Sequence, residues 1–542
     1  MTKQDDGLKI DIGNNNKTRR RLIKYSGVGL TSGLLAGCVG DDSDQGDQEG
    51  NSPQQGGKLT IAAPYEPDTL NPADSLFSPV ELNIFDTLAG LKVEGNEVSL
   101  EPRILTDWEM EDNTTFIGDV REGMQFHGDW GELTAEDIAF IINFIVENQE
   151  PRIFLFQGRV AGAEVIDDYT VQINLADIYV PFERTVLINM PIPSKEAYQE
   201  KGREGSDRDP IGTGPFSLEE WVAGDNIALR KHDGHWREGY PYVDEIEFRV
   251  IPDQSTQLDL LEAGEADILH RAPFNEVSNL KQRDDLKLKV QTPEWCFDYF
   301  IIGGATPKNE ALNNQKVRQA IQYAIDRESI AENGYFGYAT PDDDPLPSTY
   351  NNQLADGDIQ MYPTTSDPDK ASELLEEAGY EDGLELELIT PNQSKFVRAV
   401  QIIQSNLSDV NIDVQIQTMD TNTHWSTTFE GNFDMSYVNL TIVSSDADAA
   451  FHWFYHSEGV ANWFGMENER VDELLEEQRA TLDGAKRSEM LSEVLDIALE
   501  NAHPGYTVQY DLIRVLKQNV YLERESFSPK EHLWELYDVW KE

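Results

Sequence analysis

The sequence predicts an α/β protein built from more than one domain, and three observations carry that reading. At 542 residues the chain is too long for one ordinary core. Between Pro210 and Ile268 it runs turn, strand, helix, strand. Between Leu374 and Ile416 it again alternates helical and strand periods. A hydrophobic share of 39% with 10% aromatics is enough to fill such cores.

In the first of these stretches, Gly212 and Gly214 flank Thr213 ahead of Pro215, a turn that asks for permissive backbone. Asp244 to Ile251 then alternates Ile246, Phe248 and Val250 with Glu245, Glu247 and Arg249, the pattern of a half-buried strand. From Gln254 the period changes. Leu258 and Leu261 before Gly264 fit a short helix closed by a glycine C-cap.

Taken from its start, the chain opens with an address. Thr18-Arg19-Arg20-Arg21-Leu22-Ile23-Lys24 resembles a twin-arginine export signal, with Arg19 and Arg20 as the pair. Tyr25 to Ala36 is weakly apolar and shorter than the ~20 residues a spanning helix needs. Leu35-Ala36-Gly37-Cys38 resembles a lipobox, which implies cleavage after residue 37 and a lipid on Cys38. Residues 38–57 are polar, acidic and Gly-rich, and read as a flexible tether. With Cys38 lipidated, only Cys296 remains, so no internal disulfide is expected.

Lys58 to Ala63 predicts the first strand, and Pro64, Pro67 and Pro72 force a loop after it. Thr134 with Asp137 predicts a helix start before the apolar face of Ile138, Ile141, Ile142 and Ile145. Tyr169 to Leu175 reads as a strand. Leu374, Leu375 and Ala378 before Gly379 form a helix face and its cap, followed by a strand at Leu384 to Ile389, a helix around Val397 to Leu407 and a strand through Ile412, Val414 and Ile416. Helices are expected at Val471 to Ala480 and Arg487 to Leu499, and a return of the chain at Tyr506 to Leu516.

The order GTGPF, HWREGYPYVDEIEFRVIPD and LEAGEAD, followed by VRQAIQYAID from Val317 to Asp326, resembles the dipeptide- and oligopeptide-binding class of solute-binding proteins (bacterial extracellular family 5). The resemblance implies a two-lobed periplasmic-binding-protein-like fold of the large cluster C type. It places lobe one at 58–290 with an inserted subdomain at about 78–200, a hinge at QTPEW, lobe two at 291–510, and a return to lobe one at 511–542. It implies a monomeric receptor that captures a peptide or other small-molecule solute and delivers it to an ABC permease and ATPase complex, held to the membrane by its lipid anchor on the outer face of the cell. A sugar, a nickel chelate or another non-peptide solute is the alternative ligand on this fold. A cell-surface hydrolase or a sensor is the alternative of another class.

Charge narrows the partners. Lys plus Arg number 43 against 100 Asp plus Glu, a formal net charge of -57, which excludes nucleic acid as an expected partner. Such a surface suits a halophile, because at about 1 M salt the Debye length falls to roughly 3 Å. No GxSxG, Walker motif or CxxC is present, so the chain is expected not to be an enzyme and to carry no cofactor. His452 and His456 lie four apart in FHWFYH, but HExxH is absent and the flanks are aromatic, favouring a structural or stacking role over metal. Asp342, Asp343 and Asp344 lack the calcium-loop pattern and read as a solvated acidic loop.

Candidate ligand contacts are Tyr65, Trp295, Asn439, Thr441, Ser444 and Asp446. In peptide-binding relatives the resemblance implies an Asp for the peptide's amino end, a few residues after a Trp. Here NLTIVSSDADAA puts Leu440 at the Trp position and Val443 or Ser444 at the Asp position, with Asp446 able to serve if the alignment slips by three. The Arg that short-dipeptide binders use for the carboxylate is replaced by Asn392, Gln393 and Lys395 in TPNQSKF. The expected ligand is therefore a longer peptide held through its backbone or a neutral, hydroxyl-rich solute. A zwitterion left unpaired after desolvation costs several kcal/mol.

Overall fold

Strand and helix form where the periodicities ask for them. In the computed structural model Glu245–Val250 is a strand with Ile246 and Phe248 buried, and Gln254–Ala263 is a helix. Asp253 caps that helix by accepting from the Thr256 amide at 2.8 Å, and Gly264 ends it at φ 83°, a left-handed position where a side chain would be strained. The structure describes residues 52–64, 66–75, 78–94, 97–156, 158–291, 296–341, 353–355, 362–441, 444–522 and 535–542, and Pro53–Glu542 clusters as one unit. The expected export signal, Cys38, the 342–344 acidic loop and the hinge residues 292–295 lie outside the described residues. The expected tether ends earlier than Gly57. Gln55 donates to the Gly239 carbonyl at 2.7 Å and the Gly56 amide to the Tyr242 carbonyl at 2.8 Å, so the chain is already bonded there.

Three sheets organise the molecule. A seven-stranded mixed sheet runs in the order Leu286–Gln291, Leu512–Lys517, Ile268–Leu269, Lys58–Ala63, Glu245–Val250, Asn226–Lys231, Phe216–Val222. A six-stranded mixed sheet runs Ala339–Pro341, Pro504–Tyr510, Cys296–Ile302, Met435–Thr441, Leu384–Pro391, Ile412–Met419. In the second sheet, Leu384–Pro391 and Ile412–Met419 pair in parallel through the helix Ser394–Ser408, the βαβ arrangement that the alternating periods require. The third is a four-stranded antiparallel sheet of Leu105–Met110, Thr115–Val120, Thr170–Leu175 and Val160–Asp167, covered by the helix Ala135–Asn148. Ile138, Ile141, Ile142 and Ile145 of that helix are fully buried against Phe116, Val171 and Ile173. The Thr134 amide donates to the Asp137 carboxylate at 2.9 Å, closing the capping box.

The chain passes between the two large sheets at two neighbouring places. Leu286–Gln291 belongs to the first sheet and Cys296–Ile302 to the second; Pro504–Tyr510 belongs to the second and Leu512–Lys517 to the first. Each pair of neighbours is hydrogen-bonded within its own sheet, so the strand ends that flank the two crossings lie side by side. Near them, the hydroxyl of Tyr437 lies 3.2 Å from an Asp298 carboxylate oxygen and 3.0 Å from the Thr507 hydroxyl, fastening three adjacent strands of the second sheet. Phe297, Tyr299 and Phe300 are core residues.

The GTGPF turn differs from its expected reason. Neither Gly212 nor Gly214 has a left-handed φ; a Cβ on Gly214 would sit 2.5 Å from the Ile84 carbonyl carbon. Close approach of backbone to backbone selects glycine here. The Gly214 amide donates to the Ile84 carbonyl at 2.9 Å and Thr213 to the Asp86 carboxylate at 3.0 Å, tying the turn to residues 84–86.

Candidate functional site

The strand Met435–Thr441 leads into Ser444–Asp446 and the helix Ala447–Tyr455, and this turn meets the segment around residues 180–185. Its counterpart is the π-helical turn Glu183–Leu187. The Ser445 amide donates to the Arg184 carbonyl at 3.3 Å, and the Ser444 and Thr185 hydroxyls lie 2.9 Å apart, both fully buried. Beside them the Val180 amide donates to the Arg479 carbonyl at 2.9 Å, Arg159 pairs with Glu476, and Phe154 packs edge-on against Trp453 with centroids 5.2 Å apart. The seam is mostly polar, so each contact costs desolvation that its partner offsets.

A buried ionic network holds the turn from its other side. Asp446 accepts from Arg487 with both oxygens, Oδ2 at 2.9 Å from Nη1, and its Oδ1 also caps the helix by accepting from the Asp448 amide at 2.9 Å. Asp448, fully buried, accepts from Arg479 Nε at 2.8 Å and from Gln478; Gln478 accepts in turn from Arg487 Nε at 2.8 Å. Burial pushes the Asp448 carboxyl up, but the Arg479 guanidinium outweighs it and the net pKa lies below the ordinary carboxylate value. Burial likewise opposes the charge on Arg479 and Arg487, and Asp448 and Asp446 reverse it, leaving both raised.

The expected ligand residues are placed as follows. Ser444 lies at the seam itself. Asp446 is 3% exposed and committed to Arg487, so it faces the ionic network rather than open space. Asn439 is half-buried and pairs in register with Asp298; Thr441 pairs with Cys296, with its side chain outside the described residues. Tyr65 and Trp295 also lie outside them. Lys395 sits over the Tyr510 ring at 4.0 Å, next to the second crossing, where burial raises the half-buried Asp511 carboxyl against the pull of Lys281. His452 and His456 are stacked, centroids 4.3 Å apart. A serine–histidine contact, Ser436 with His424 at 3.1 Å, is sealed in the core with His424 Nδ1 unpartnered, and is not an exposed nucleophile.

Residues that sequence reasoning passed over are Asp448, Gln478, Arg479, Arg487, Thr185 and Arg159. Arg479 and Arg487 did leave a signal. Arg479 follows Leu475 and Arg487 precedes Leu491 by four residues, which puts a cation on the apolar face of each helix. Among the described residues no helix is long and apolar enough to cross a membrane.

The profile of the bacterial extracellular solute-binding proteins, family 5 Middle, matches residues 99–462. Over 496 residues the chain is 27% identical to the glutathione-binding protein GsiB of Shigella flexneri, covering 88% of this chain and 91% of that one. Among solved structures, it resembles the oligopeptide-binding protein AppA from Bacillus subtilis in complex with a nonapeptide, with TM-score 0.78, 22% identity, and 91% and 100% of the two chains covered. It resembles equally the periplasmic binding protein DppA from Helicobacter pylori in complex with the peptide STSA, with TM-score 0.78, 21% identity, and 90% and 99% covered. The fold is thus the two-lobed α/β fold of these binding proteins, and the chain belongs to the bacterial extracellular solute-binding proteins, family 5.

Proposed function

We propose that this chain is the extracytoplasmic receptor of an ATP-driven importer, which captures a peptide or peptide-like solute between its lobes and hands it to the membrane permease. The observation that carries the proposal is the polar seam at Ser444–Thr185 and Arg159–Glu476, because contacts of this kind exist only while the lobes are together. A ligand that contacts both lobes favours the closed state by its differential contacts, and the permease reads the closed shape. No bond in the solute is made or broken. The two side-by-side crossings, at 292–295 and at Asp511, serve as the hinge between lobe one at 58–290, with 511–542, and lobe two at 291–510.

The relatives that bind peptide or glutathione support a peptide-like ligand. Tyr65, Trp295, Asn439, Thr441 and Ser444 are the proposed contacts, and Asp446 acts as a support held by Arg487. With Asp446 so engaged, nothing at the expected positions offers a free carboxylate to an amino end. A longer peptide held by its backbone fits better than a short zwitterion. Calorimetric titration in molar salt with dipeptides, glutathione and longer peptides tests this; tight binding of a dipeptide with loss in Asp446→Ala but not in Ser444→Ala would overturn it.

The rest of the reading concerns where the receptor works. It leaves the cell by the twin-arginine route through Arg19 and Arg20, is anchored by lipid on Cys38, and works as a monomer in concentrated salt. Cys38→Ser is expected to fold but to leave membranes or stay unprocessed. Its continued presence in the membrane fraction after signal cleavage would contradict the anchor.

A further inference from the structure

Along the chain His452 and His456 have no neighbouring third ligand, and a metal was not expected. The fold supplies one from a residue twenty positions beyond His456. His452 lies on the helix Ala447–Tyr455 and His456 caps its end; against them packs the helix Glu469–Arg479. Its Glu476 puts Oε1 3.5 Å from His452 Nε2 and 3.9 Å from His456 Nε2. One ligand atom from each of the three lies within 4.8 Å of the others, the one such group of three or more among the described residues. One turn earlier on the same helix, Asp472 Oδ1 is 3.9 Å from His456 Nε2. We propose that His452, His456 and Glu476, with Asp472 as a fourth ligand, form a binding site for one divalent transition-metal ion at the edge of the seam.

The geometry is close to what such an ion requires. Metal–ligand bonds of about 2.0–2.2 Å arranged tetrahedrally put the ligand atoms roughly 3.3–3.5 Å apart. The 3.5 and 3.9 Å spacings from Glu476 to the two histidines are within a few tenths of an ångström of that, and the group as a whole, spread over at most 4.8 Å, closes further by side-chain rotation. The rings are already stacked, so their rotamers are largely fixed before an ion arrives.

Local charge also favours a cation. Counting one carboxylate to each guanidinium beside the site, Arg159 has Asp177 at 3.0 Å and Arg479 has Asp448 at 2.8 Å, although both also bond Glu476, Arg479 through Oε1 at 3.2 Å. Glu476 and Asp472 are then the surplus carboxylates. Glu476 turns Oε2 to Arg159 of the first lobe while Oε1 lies between Arg479 Nη1 at 3.2 Å and the histidines, so one carboxylate touches both the ion's position and the seam, and an ion there displaces the Arg479 contact. One rearrangement is needed. His456 Nδ1 accepts from the Glu458 amide at 3.1 Å, which leaves the neutral ring's proton on Nε2. Binding shifts that proton to Nδ1, and the exposed Glu458 amide turns to water. Two imidazoles and carboxylates select zinc, cobalt or nickel over magnesium or calcium, which prefer all-oxygen sites. This separates the site from the many surface acids.

The test titrates Co²⁺ into the full chain, stripped of metal, in molar NaCl with millimolar Mg²⁺ present, and follows visible absorption and the histidine ring proton resonances. One equivalent is expected to bind, with a d–d band of a nitrogen- and oxygen-ligated ion and selective broadening of two histidines. His452→Gln and His456→Gln should weaken binding by more than the roughly 100-fold that loss of a supporting partner costs, and Glu476→Gln should weaken it too. Broadening in the unaltered protein reports the site even if a histidine variant fails to fold. Absence of binding at millimolar Co²⁺, displacement by Mg²⁺, broadening of no histidine, or wild-type affinity in a folded His456→Gln variant overturns the proposal.

Discussion

Thr185→Val removes one hydroxyl from the seam and little else. Thr185 and Ser444 are both fully buried and their hydroxyls are 2.9 Å apart, so the bond is shielded from water. Ser444 is not orphaned by the change, because its hydroxyl still reaches the Arg184 carbonyl at 3.3 Å and accepts from the Asp446 amide at 3.0 Å. The loss is therefore the net value of one neutral hydrogen bond, about 1 kcal/mol, without a further penalty for an unsatisfied group. On the proposed division into lobes the two hydroxyls belong to different lobes, so the loss is expected to fall on the closed state and the apparent affinity for ligand to drop by roughly fivefold. Calorimetry with a bound peptide in molar NaCl reads the affinity, and thermal melting without ligand reads the fold. Ser444→Ala should cost more, since it also frees the Asp446 amide, and the double variant should show coupling between the two sites. Wild-type affinity in Thr185→Val together with a lowered melting temperature would show that this bond serves the fold and not closure.

Three other outcomes follow from the same geometry. Asp448→Ala removes the fully buried carboxylate of Arg479 and leaves that guanidinium Glu476 at 3.2 Å, so it should cost about 3 kcal/mol in chemical denaturation, the low end for a broken buried pair; a loss below about 1 kcal/mol would mean that Glu476 alone suffices for Arg479. Burial lowers the pKa of His127 to about 3 and of His424 and His503 to about 4. Their folded values lie below the unfolded 6.5, so stability is full above pH 6.5 and is lost as pH falls; at pH 5.5 each should cost about 1.4 kcal/mol, and flat stability from pH 7 to 5.5 in molar salt would refute it. The formal charge of -57 predicts a melting temperature that falls as NaCl is lowered from molar to about 0.1 M, where the Debye length is roughly 10 Å, with a neutral osmolyte giving no rescue.

Local rules were legible because they depend on neighbours in sequence. The alternation of Ile246 and Phe248, the Thr134–Asp137 capping box and the left-handed Gly264 and Gly379 follow from periods and caps a few residues long. The reason for Gly212 and Gly214 was not legible, since it is set by Ile84, more than a hundred residues away. Nor was the insertion of Leu512–Lys517 between Leu286–Gln291 and Ile268–Leu269, because sheet order is decided by long-range pairing. Ser444, read from the sequence as a candidate ligand contact, is fully buried with its hydroxyl 2.9 Å from that of Thr185, a partner no local rule points to. Asp446 read as an available carboxylate because Arg487, its partner, arrives on a helix forty-one residues later. Likewise, the spacing of His452 and His456 showed one helix face, and Glu476 came from another helix.

The central claim is that a peptide-like solute is bound between the lobes and released unchanged. Small-angle scattering of the full chain in molar NaCl, without and with a saturating longer peptide, tests it most directly. The account predicts a smaller radius of gyration with peptide, and no such change in a variant carrying both Thr185→Val and Ser444→Ala at a peptide concentration that just saturates the unaltered protein. An unchanged radius on saturation with peptide, or a decrease produced only by a sugar, would contradict it.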